Sequence, residues 1–173
     1  MIVEGRAIVY DSPTVMYEID GIKYYEVIQR GALDGTDLKD VPFKYNHSDS
    51  VMVMARTRNK TLELIPDDQG LLVRAKLANT TAGRDLYELI KRGDIDKMSF
   101  AFTVAEDSYD RDTRTRKIIK FKRIWDVSAV DTPAYSDTFI AARSYFEAQA
   151  EAERQAAEAA EELRKRLIAK TYL

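Results

Sequence analysis

The chain has 173 residues, 45% hydrophobic and 32% charged, with a formal net charge of -2. That is enough for one ordinary globular domain, with no basic excess to mark a nucleic-acid partner. It has no cysteine and one histidine, which excludes disulfides, thiolate metal sites and cysteine nucleophiles and argues against any zinc site; no cofactor is expected.

The opening "MIVEGRAIVY" lacks the long apolar stretch of a secretory signal, and no run approaches the roughly 20 apolar residues of a membrane span, so no membrane contact is expected. "GRAIVYDS" alternates as a strand and stops at Ser12-Pro13. "EIDGIKYYEVI" reads as two strands around Asp20-Gly21, a hairpin signal. "VPFKYNH" is a strand leading to the lone histidine, His47. "VMVMARTRNKTLELIPDDQGLLVRAKLA" reads as three strands, broken near Asn59-Lys60 and at the Asp67–Gly70 turn. "NTTAGRDLYELIKRGDI" carries capping residues, an apolar face of Leu86, Leu89 and Ile90, and a glycine stop at Gly93.

"MSFAFTVAEDSYD" returns to period two, with Met98, Phe100, Phe102 and Val104 on one face and Ser99, Ala101 and Thr103 on the other. A charged turn and a long strand, "KIIKFKRIWDVSAV", follow. From about Ala141 the chain is rich in Ala, Glu, Gln, Arg and Lys. Tyr145, Ala148, Ala152, Ala156, Ala159, Leu163 and Leu167 form a thin, mostly alanine stripe that predicts a projecting helix, not the wall of a core. The body is therefore expected to be mostly β, a barrel or sandwich, with a helical tail.

Elimination narrows the chemistry. A nucleophile here would be serine or threonine, and the natural base near neutral pH is His47. Ser99 has small neighbours on its face, which leave room for a substrate carbonyl. A third group would be a carboxylate. Asp126 sits in the apolar "IWDVSAV" on the face expected to hold Ile124, Ser128 and Val130, where a carboxylate is costly unless bonded. Asp131 ends that strand and is the alternative; Asp49, beside His47, reads as a loop cap.

Six stretches in order, "GRAIVYDS", "GALDG", "NHSD", "DDQGLLVRAKL", "LIKRGDIDKMSFAF" and "WDVSAVDTPAYSDT", resemble the prohead proteases of HK97-type tailed phages, serine peptidases distantly related to the herpesvirus assembly protease. The resemblance covers roughly residues 1–143. It implies an α+β, mostly β fold: a small antiparallel barrel with flanking helices over 1–143, and a helical extension over 144–173. It implies His47 as general base and acid, Ser99 as nucleophile, and Asp126 (or Asp131) to orient the imidazole; the family's usual glutamate is replaced by Asp126. Backbone N–H groups, Arg84 or a residue near Thr132 would complete an oxyanion site. It further implies cleavage of a scaffold protein, or of the scaffolding domain of the capsid protein, and of the protease itself, inside the prohead assembling in the bacterial cytoplasm. Self-association is compatible with that setting. The competing expectations are an inactive capsid-assembly protein of the same fold and a peptide-binding β-module.

Overall fold

The structure, a computed structural model, describes residues 1–131 and 138–171, with side chains over 1–131 and 145–168. Nine strands and two helices run in the order β1 (Ile2–Val9), β2 (Thr14–Ile19), β3 (Ile22–Ile28), β4 (Pro42–Tyr45), β5 (Ala55–Arg56), β6 (Leu62–Asp67), β7 (Gly70–Lys76), α1 (Thr81–Arg92), β8 (Lys97–Asp110), β9 (Thr115–Val130) and α2 (Thr138–Thr171) among the described residues. Neither helix is long and apolar enough to cross a membrane.

Local chemistry explains most boundaries. Asp20 and Gly21 both take left-handed φ values, 52° and 78°, and close the β2–β3 hairpin in two residues. At the β6–β7 turn the Asp67 carboxylate accepts the N–H groups of Gln69 and Gly70. Gly70 is obligatory there: its φ is +146°, and an added Cβ would lie 1.9 Å from the Ile8 carbonyl oxygen. Helix α1 starts at Thr80, whose hydroxyl accepts from Gly83 N–H, and stops at left-handed Gly93.

The strands form a three-stranded sheet, β1-β7-β6, and a six-stranded one, β2-β3-β9-β4-β5 with β8 also paired to β9. Neither sheet closes on itself, so the expected small barrel is not formed among the described residues. Nor is the pairing all antiparallel: β3 and β4 both lie parallel to β9, near its start and its end. Strand β9, 16 residues long, is the spine of the larger sheet, with β8 antiparallel along it. The two sheets share one core, in which Ile8, Leu71 and Val73 meet Phe43, Ile118, Phe121, Ile124 and Val127. Met98, Phe100, Phe102 and Val104 all turn toward it, as their alternation predicts.

Helix α2 projects as expected, but it is anchored by residues off the predicted stripe. The alanine stripe is exposed, whereas Phe146 and Ala150 are buried against Met16 and Tyr24 of the hairpin. The Tyr109 hydroxyl and the Arg114 guanidinium both bond Glu153. The helix is thus anchored to the body between Tyr145 and Glu153, and residues 154–168 project.

Candidate active site

Strand β4 is anchored by buried Val41 and Phe43 and ends in a tight turn. Asn46 and His47 occupy its two central positions, both left-handed (φ 49° and 52°), and Ser48 N–H closes it onto the Tyr45 carbonyl at 2.9 Å. Positive φ is uncommon outside glycine, though Asn and His adopt it more readily than most. The surroundings hold the turn firmly. Asn46 N–H bonds the Ala129 carbonyl, Asn46 Oδ1 accepts Asp131 N–H, and His47 N–H donates to Ser128 Oγ at 3.2 Å. Strained backbone that its neighbours over-determine is a feature of functional sites.

The turn folds the imidazole down onto β9. His47 Nδ1 lies 2.6 Å from Asp126 Oδ1, with both side chains about nine-tenths buried. Asp126 also accepts the Ser128 hydroxyl at 3.0 Å, and Lys44 Nζ stands 3.9 Å from its other oxygen. Burial of this carboxylate is thereby compensated. Nε2, the other ring nitrogen, is buried and has no hydrogen-bond partner among the described residues.

The register between β8 and β9 places Ser99 opposite Ser128 and Ala101 opposite Asp126. Directly paired residues share a face with Cβ atoms about 5 Å apart, so Ser99 stands beside the Ser128–His47–Asp126 group. No hydrogen bond joins Ser99 to His47 among the described residues; the structure brings His47 and Asp126 into contact and leaves Ser99 one strand away. One detail of the expectation changes. Ile124 packs in the core while Asp126 faces the other way, because a register shift skips Trp125 between them.

The remaining candidates have other partners. The Asp131 carboxylate accepts the Tyr45 hydroxyl at 2.9 Å, which raises the Tyr45 pKa. Asp49 is not a loop cap. Its carboxylate is 2.5 Å from Lys44 Nζ, and that bond holds its pKa below the usual carboxylate range. Arg84 bonds Asn79 and Thr81 at the start of α1. Thr132 lies outside the described residues. Sequence reasoning assigned no role to Lys44 or Ser128. The signal for Ser128 was its position two residues after Asp126 on the same strand.

No curated protein and no solved structure matches the chain significantly. The family model described as caudovirus prohead serine protease matches residues 1–153, and by that match the chain belongs to this family of phage capsid-maturation proteases.

Proposed function

We propose that the protein is a serine endopeptidase in which Ser99 is the nucleophile, His47 the general base and acid, and Asp126 the group that orients the imidazole. The observation that carries this reading is the buried 2.6 Å contact between His47 Nδ1 and Asp126. It leaves Nε2 as the basic nitrogen, with Ser99 placed beside the group by strand register. In the reaction Ser99 Oγ attacks a peptide carbonyl as its proton passes to Nε2. Asp126 stabilises the imidazolium, backbone N–H groups bind the oxyanion, and Nε2 returns the proton to the leaving amine. Water then repeats the cycle on the acyl-enzyme.

The substrates are the scaffold protein, or the scaffolding domain of the capsid protein, and the protease itself, within the prohead assembling in the host cytoplasm. Residues 1–143 form the protease domain, kin to the herpesvirus assembly protease, and residues from 144 form the helical extension. In a coexpression assay with capsid and scaffold proteins, Ser99→Ala and His47→Ala should each abolish cleavage while particles still assemble. The double variant should be little worse than either single one, since the residues act as a unit. Processing at the wild-type rate by Ser99→Ala would end this assignment.

A further inference from the structure

Ser128 is fully buried, and its hydroxyl touches three groups of the site. It accepts the His47 backbone N–H at 3.2 Å, donates to Asp126 Oδ1 at 3.0 Å, and lies 3.4 Å from His47 Nδ1. A hydroxyl has one proton to give. Here that proton goes to the carboxylate, so toward Nδ1 the oxygen can only accept. Asp126 Oδ1 is likewise an acceptor for Nδ1. Both neighbours of Nδ1 therefore demand a proton on it, and in the neutral ring the lone pair is left on Nε2. The same oxygen ties the left-handed turn to β9 through the His47 backbone. The hydroxyl is not a second nucleophile, since it has no exposed surface and its proton is committed to a carboxylate.

We propose that Ser128 is a positioning residue that couples the His47 backbone to the Asp126 carboxylate and fixes the imidazole as the Nδ1–H tautomer. The proposal rests on His47 being the catalytic base, but its main readout does not. Because His47 is the only histidine in the chain, ¹⁵N-histidine labelling reports this ring alone.

In wild-type protein at a pH where the ring is neutral, the ¹⁵N spectrum should show a protonated Nδ1 and an unprotonated Nε2. Ser128→Ala removes the one oxygen that makes these three contacts and adds no bulk. By releasing the turn and the carboxylate from one another it should loosen the His47–Asp126 contact, let an Nε2–H form appear beside Nδ1–H, and lower kcat by about 10²-fold with KM little changed, the cost of a misplaced catalytic group. Ser99→Ala should abolish cleavage yet leave the tautomer as in wild type. If Ser99→Ala still cleaves, the triad reading fails while the spectrum continues to test Ser128. If Ser128→Ala keeps the Nδ1–H spectrum and a kcat within twofold of wild type, losing only thermal stability, Ser128 is a structural serine and the proposal is overturned.

Discussion

The two strand-end carboxylates divide the work at the scale of single residues. Asp126 meets the imidazole, and Asp131 meets the Tyr45 hydroxyl. In a serine-protease triad, an amide at the orienting position can hold the wrong tautomer and costs about 10⁴ in kcat. Asp126→Asn should approach that loss in a peptide-cleavage assay. Asp131→Asn should stay within a few-fold, because an amide oxygen still accepts from Tyr45. Glu26 supplies a prediction of stability. It is buried on β3 beside Arg116, and burial raises its pKa, with the nearby Asp107 adding to the rise and Arg116 opposing it. A raised folded-state pKa gives stability that is present below the unfolded value and lost as pH rises through the folded one. At neutral pH the charged form is therefore a net cost. Glu26→Gln should melt above wild type at pH 7, and the gap should close as pH falls from the raised folded-state value to the ordinary glutamate value.

Elements differ in how much of themselves they reveal. The β2–β3 hairpin and the limits of α1 were legible because Asp20-Gly21, Thr80 and Gly93 act on their own backbone. The parallel arrival of β3 and β4 on β9 was not, since partner and register depend on packing between distant segments and not on local pattern. The same holds at the site. His47 and Asp126 stood out as the one imidazole and as a carboxylate in an apolar strand, whereas a strand serine such as Ser128 acquires meaning only once the turn lies over it. In helix α2 the alanine stripe buries little, as its spacing predicts, but the contact that anchors the helix is Phe146 against Tyr24, which alanine spacing does not reveal. Phe146→Ala should cost about 3–5 kcal/mol in urea unfolding, as truncations of buried aromatic residues do. Leu163→Ala should change it by no more than about 0.5 kcal/mol, because Leu163 is 59% exposed.

For the whole molecule, the anchored and projecting parts of α2 separate folding from the rest of the chain's work. A chain ending at residue 153 keeps Phe146, Ala150 and the Glu153 bonds to Tyr109 and Arg114. It should melt with the full chain and cleave a short peptide at the same rate, whereas a chain ending before Tyr145 should lose stability. In the proposed function one serine of this β body is activated by the buried His47–Asp126 pair. The most direct test of this activation is labelling of the purified protein with a fluorophosphonate, which reacts with activated serines, followed by peptide mapping with mass spectrometry. A single adduct on Ser99 that disappears in His47→Ala is expected. An adduct on another serine, or none in a preparation that cleaves its substrate, would contradict the proposed function.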